Sequence, residues 1–165
     1  AAHLRTPSDR VREAIFNVLV NGRRGGVVTG AEVLGEIAGT GAMGLEALSR
    51  GAVAATFVDN GRVAQRLMSE NIAKARAEEC TTVLTGAADR LPEAVQPATL
   101  IFLDPPYGKG LGARALAAAL VRGWVAPGAT VVFEEAAEVA APAGFVRLEA
   151  RQYGGTWITL LARQD

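Results

Sequence analysis

At 165 residues, with no net formal charge and half its residues hydrophobic, the chain is long enough to bury one full core and too apolar to stay disordered. No apolar run approaches the ~20 residues of a membrane helix, and no secretory signal heads the sequence. The single Cys80 and single His3 exclude an internal disulfide, a cysteine metal cage and histidine-based acid–base chemistry. A cytoplasmic protein without a metal is expected.

A neutral chain is a poor candidate for indiscriminate nucleic-acid binding, yet its positive charge is unevenly placed. Lys74 and Lys109 are the only lysines, and Arg5, Arg10, Arg12, Arg23 and Arg24 crowd the first 24 residues against Asp9 and Glu13. Arginine suits bidentate phosphate contacts. The same residues also suit a solvated face.

In chain order, "TPSDRVREAIFNVLV" (6–20) opens with a helix signature: Thr6 as N-cap, Pro7 at the first helical position and Asp9 where a capping box takes an acid. Val11, Ala14, Ile15, Val18 and Leu19 then form one apolar stripe. "NGRRGG" closes the helix as a basic loop. Strands are predicted near 32–37, 54–59, 81–85, 99–103, 129–135, 145–150 and 156–162. Helices are predicted near 42–50, 61–78, 87–95, 111–122 and 137–140. The runs "AATFVD" and "TLIFLD" are almost continuously apolar, as strands covered on both faces require. This alternation predicts one α/β domain over 1–165, an Arg-rich helix and loop (1–24) preceding a core (31–165). Its sheet is largely parallel, helices lie on both faces, and the last strand closes it antiparallel.

Ligands of such sheets bind beyond the carboxyl ends of the strands. "GTGAMG" (39–44) follows a predicted strand and precedes a helix, so Gly39 and Gly41 would let the backbone turn tightly against a ligand. Asp59 closes the next strand, where a carboxylate can take the two hydroxyls of an adenosine ribose; a plain helix N-cap is the other reading. Both NAD and S-adenosylmethionine satisfy this half.

"IFLDPPYGKG" (101–110) decides between them. An exocyclic amine on a base is nearly planar, with its lone pair delocalised into the ring. To attack a methyl group, its two hydrogens must be held by acceptors. The Asp104 carboxylate and the Pro105 carbonyl can be that pair, Pro105 and Pro106 fix the backbone without adding N–H donors, and Tyr107 offers a face for an extruded base. A proline-rich turn is the plainer alternative, and hydride transfer has no use for this tetrad.

The segments "TPSDRVREAIFNVL", "AGTGAMGLEALSRGA", "FVD", "FLDPPY" and "YGGTWITLL" together resemble the bacterial small-subunit ribosomal RNA guanine-N2 methyltransferases of the RsmD type. The resemblance runs from Leu4 to the end. It implies a class I S-adenosylmethionine-dependent methyltransferase fold, Rossmann-like, with a seven-stranded, mostly parallel sheet. It also implies S-adenosylmethionine as cofactor, no metal, and ribosomal RNA or a small-subunit assembly particle as partner, with no membrane. A monomer is expected. By position, Gly39, Gly41 and Asp59 would serve the cofactor, Asp104, Pro105, Pro106 and Tyr107 the target amine, and Arg10 and Arg12 would lie near the substrate; Arg23 and Arg24 of the basic loop are expected to add RNA contacts.

Two departures stand out. The family usually has an Asp where this chain has Gly35, followed by an apolar residue where it has Glu36. Side chains alternate along a strand, so Glu36 replaces that acid only if the strand bulges; a weakened cofactor site is expected, to be tightened by Gly35→Asp. The family's Asp-Ala pair after the third strand is here "TGAADRL", where Asp89 is either that acid displaced, facing adenine, or a helix N-terminal acid. The alternatives to RNA guanine methylation are a DNA or small-molecule amine methyltransferase, or a cofactor-binding protein with weakened catalysis.

Overall fold

The computed structural model describes residues 7–39 and 41–164; His3, the Thr6 cap and Thr40 of the glycine turn lie outside them. Helix α1 spans Pro7–Asn21, so Pro7 does occupy the first helical position. Seven strands follow: β1 (Glu32–Glu36), β2 (Ala54–Asp59), β3 (Thr81–Thr85), β4 (Ala98–Leu103), β5 (Val125–Glu135), β6 (Phe145–Tyr153) and β7 (Thr156–Arg163). Between them lie α2 (Ala42–Ser49), α3 (Arg62–Lys74) and α4 (Leu111–Val121). The strand order is β3-β2-β1-β4-β5-β7-β6. Every pairing from β3 to β5 is parallel, and β7 is antiparallel to both of its neighbours.

Alternation along β4 sorts the core into two layers. Leu100 and Phe102 point to the layer built with α1, α2 and α3, where Phe16, Leu19, Ala47, Met68 and Ile72 are buried. Ile101 and Leu103 point the other way, to Leu116 and Ala119 of α4 with Trp124 and Leu161. The Phe16 and Phe102 ring centroids are 5.7 Å apart at 44°, and Arg50 lies 5.1 Å above Phe16. The aromatic contact thus fastens α1 to the strand that ends at the DPPY segment, and the cation–π contact ties α1 to the end of α2.

The helix expected over 87–95 does not form; Ala88–Asp89 is a turn and Leu91–Ala94 is irregular. Pro92 is the cause, since it lacks an N–H and bars Leu91 from helical backbone. Two hydrogen bonds pin the segment instead, Trp124 Nε1 to the Pro92 carbonyl at 2.7 Å and the Ala94 N–H to the Arg122 carbonyl at 2.9 Å. Among the described residues α4 is therefore the one α-helix in the second layer. No helix forms over 137–140 either: the Val139 N–H is given to the buried Thr159 Oγ1 at 3.1 Å, and Pro142 follows. The predicted 61–78 helix ends at Lys74, where Arg76 takes φ +53°.

Candidate active site

Five strands end on one edge, and the loops leaving them enclose two adjoining cavities. The first, about 260 Å³, is lined by Gly35–Gly39, Gly41–Gly44, Phe57, Phe102 and Asp104. Gly39 and Gly41 stand at φ +57° and +78°, left-handed values at which a side chain is strained. Gly41 caps α2, with its N–H on the Ala38 carbonyl at 2.9 Å. Ile37, at φ +56°, holds a costly conformation for a β-branched residue at this same wall.

Asp59 does not cap α3; that helix has Gly61 as its N-cap, with no side-chain bond there. Its carboxylate takes the Gly39 N–H at 2.9 Å and the Gly61 N–H at 2.8 Å, clamping the glycine turn to the end of β2. Asp89 is exposed and lines a separate depression against α4, with Arg90 and Arg122. The expected helix N-terminus around it is absent, because Pro92 prevents the helix.

Glu36 is the outlier. β1 stays in register there, with Glu36 opposite Val58 and Leu103, so no bulge reorients it. It nevertheless lines the cavity with 1 % of its surface exposed, and neither carboxyl oxygen has a hydrogen-bond partner. Burial pushes its pKa well above the usual carboxylate range. At Gly35 an added Cβ would sit 3.3 Å from Phe57 Cδ1. The Phe57 ring edge would have to yield by a few tenths of an ångström to a side chain at 35, and the acid that lines this wall is Glu36.

Asp104 leaves β4 at the junction of the two cavities. Together with Ala42 and Met43 it lines the first and also the second, a cleft of about 510 Å³ bounded by Val11, Arg12 and Ile15 of α1, Tyr107, Glu134 and the Tyr153–Thr156 turn. Pro105 is buried and Pro106 exposed. A Cβ on Gly112 of α4 would lie 2.3 Å from Phe133 Cζ and 3.0 Å from Pro105 Cγ, so only glycine lets α4 pack this closely on the tetrad. Tyr107, 43 % exposed, hydrogen-bonds its hydroxyl to Thr156 Oγ1 at 3.0 Å, which fixes the ring beside the cleft. Burial first, and then nearby Glu134 and Asp104, push its pKa up against the opposing Thr156 bond.

Glu134 was not foreseen. Leu103 pairs with Phe133 across β4 and β5, so Asp104 and Glu134, the next residues, emerge side by side. Both line the same cleft, close enough for their carboxyls to act on each other. Burial first, and then the neighbouring Asp104, push Glu134 up to about 8, so the pair holds a proton at neutral pH. The signal in the sequence was an acid at the end of the strand neighbouring DPPY. Register, which fixes the pairing, cannot be read from one strand alone.

The arginines divide. Arg12 lines the cleft while bridging Asp9 at 3.1 Å and Glu46 at 3.6 Å. Arg10 is exposed on α1, and Arg23 and Arg24 are exposed in the following loop. Arg24 reaches β6, at 3.3 Å from the Leu148 carbonyl and 3.7 Å from Glu149. Among the described residues no His, Cys, Asp and Glu cluster suits a metal ion, and no helix is long and apolar enough to cross a membrane.

The family described as conserved hypothetical protein 95 matches residues 1–162. The chain is 34% identical over 139 residues to ribosomal RNA small subunit methyltransferase D of Escherichia coli strain K12, covering 84% of this chain and 68% of that protein. The solved Escherichia coli protein yhhF matches at a TM-score of 0.82 and 32% identity, covering 98% of this chain and 88% of that one. Magnesium protoporphyrin IX methyltransferase from Synechocystis, solved with bound S-adenosylmethionine, shares the fold at a TM-score of 0.72 and 12% identity, with 96% and 80% covered. With this sheet order and these matches, the chain has the class I S-adenosylmethionine-dependent methyltransferase fold and belongs to the family of ribosomal RNA small subunit methyltransferase D.

Proposed function

We propose that this chain methylates the exocyclic N2 amine of a guanine in small-subunit ribosomal RNA, using S-adenosylmethionine. One observation carries the reading: Asp104, Ala42 and Met43 are the shared wall between a cavity at the glycine turn and a cleft walled by DPPY and α1. A group held in one cavity can reach a group held in the other only past that carboxylate.

The first cavity suits the cofactor. A buried carboxyl without a partner, Glu36, matches a ligand carrying an ammonium and a sulfonium, because a buried charge is tolerated when paired. Gly39 and Gly41 admit the ligand to the backbone, and Asp59, fixed beside them, has lone pairs left for a ribose. Bound S-adenosylmethionine supplies an electrophilic methyl group and departs as a neutral thioether.

The remaining work belongs to the chain. Asp104 and the Pro105 carbonyl would accept the two amine hydrogens, which turns the nitrogen lone pair toward the first cavity. As the C–N bond forms, the nitrogen becomes cationic; the adjacent carboxylate stabilises that charge, and the surplus proton passes to it or to solvent. Tyr107, anchored by Thr156, would hold the extruded base by stacking. Arg12 at the cleft, with Arg10, Arg23 and Arg24 around it, would meet the RNA phosphates. Both cavities are walled by one chain, which supports a monomer, and ribosomal RNA as the substrate fits work in the cytoplasm.

Methyl transfer from labelled S-adenosylmethionine to small-subunit particles, naked ribosomal RNA and duplex DNA tests this. N2-methylguanosine in either RNA sample is expected; label only in DNA, or in none, would contradict it.

A further inference from the structure

The cleft beside DPPY contains more acid than holding one amine requires. Glu135 is committed elsewhere: its Oε1 accepts the Gly108 N–H at 3.1 Å and the Ala136 N–H at 2.8 Å. The Tyr107 hydroxyl is committed to Thr156. Glu134 makes no ion pair or hydrogen bond of that kind among the described residues; it lies beside Asp104 and lines the cleft. We propose that Glu134 is a specificity-determining residue that, alongside Asp104, accepts the N1–H of the target base and so admits guanine while refusing bases whose N1 is a bare acceptor.

The geometry follows from parallel register. Asp104 follows the last residue of β4 and Glu134 is still within β5, each one residue beyond the Leu103–Phe133 pair, and both line the same cleft. Guanine presents N1–H and N2–H as neighbouring donors; adenine presents N1 as an acceptor beside its amine. A proton shared between two carboxyls so placed would leave each an outward oxygen that can only accept. Two adjacent acceptors match two adjacent donors. A base with a lone pair at N1 would set that lone pair against the Glu134 oxygen, and a site built to bond a substrate N–H rejects the analogue lacking it strongly.

This rests on the methyltransferase reading above. The methylated guanosine is first mapped in wild-type product, and small-subunit RNA is then assembled with guanine or 2-aminopurine at that position. 2-Aminopurine keeps the amine and has a bare N1. Wild type is expected to favour guanine in kcat/KM by about 100-fold or more. Glu134→Ala should narrow that ratio at least tenfold. Glu134→Gln keeps both an outward acceptor and a donor to Asp104, and should retain the preference. Unchanged S-adenosylmethionine affinity certifies that each variant is folded. A Glu134→Ala ratio equal to wild type, or a Gln variant discriminating no better than Ala, overturns the role of Glu134 while leaving the methyltransferase reading standing. A wild type that methylates neither RNA overturns both.

Discussion

Asp104 and Glu134 stand carboxyl to carboxyl because Leu103 and Phe133 are in register on adjacent parallel strands. Two acids forced together in a half-buried cleft cannot both ionise cheaply. Glu134 therefore keeps its proton up to about 8 instead of its ordinary 4.5. A carboxyl whose pKa is raised on folding stabilises the native state at low pH, and that contribution is lost as pH rises through this window. Thermal stability of wild type should fall between about pH 4.5 and 8. Glu134→Gln cannot titrate, so its decline should be shallower, leaving the variant the more stable protein at pH 8.5. Melting curves at four or five pH values check this, and parallel profiles would mean the acids do not interact.

Glu36 gives a second pH signature, in binding. Its carboxyl is buried without a partner, and burial raises its pKa well above the ordinary carboxylate range. A cationic ligand stabilises the ionised form, so S-adenosylmethionine binding should be accompanied by proton release and weaken as pH falls. Glu36→Gln should bind more weakly by about 1–3 kcal/mol, lose the proton release and melt higher, since no buried acid remains. Calorimetry in buffers of different ionisation enthalpy measures the proton directly.

Gly35→Asp is now expected to fail as a repair. Its Cβ alone would press on the Phe57 ring at 3.3 Å, and a second acid would arrive beside Glu36. Paired with Phe57→Leu, which opens the slot, the substitution should be tolerated. Denaturant midpoints of the single and double variants decide this, the double recovering most of the loss.

Gly112→Ala tests how α4 supports the tetrad. A methyl group at 2.3 Å from Phe133 Cζ and 3.0 Å from Pro105 Cγ must displace one of them. Overpacking of this kind costs about 1–3 kcal/mol. Phe133, the closer, must move most and Pro105 is pressed with it, so methyl transfer should decline while cofactor affinity, set across the glycine turn, is retained.

For RNA, Arg12 and Arg23 should separate. Arg12 lines the cleft and Arg23 is exposed in the loop after α1. If each meets one phosphate, Arg12→Ala and Arg23→Ala will each lower the salt slope of RNA binding by about one. Arg12→Ala should also raise the KM for methyl transfer, because only Arg12 borders the site.

Much of this was legible in the chain because the signals were local. Every strand was expected within a few residues, since "AATFVD" and "TLIFLD" are apolar runs bounded by polar turns, and the glycine turn and DPPY fell at the sheet edge the topology required. What escaped depended on distant partners. Pro92 was a local signal against the 87–95 helix, but the path residues 92–94 take instead is set by Trp124 and Arg122, and Thr159 sets that of Val139. Glu36 was visible as an unusual residue, but its complete burial without a partner was not. Glu134 became part of the site only through register with β4.

The central claim is that Asp104 acts on the transferring methyl's acceptor from the wall between the two cavities. Single-turnover methyl transfer to small-subunit RNA by Asp104→Asn, with S-adenosylmethionine affinity measured on the same preparation, tests it most directly. The variant keeps shape and one acceptor oxygen but removes the charge. The rate should fall by about 10²–10³ with cofactor affinity nearly unchanged. A wild-type rate of N2-methylguanosine formation would contradict the account and leave DPPY as a structural turn.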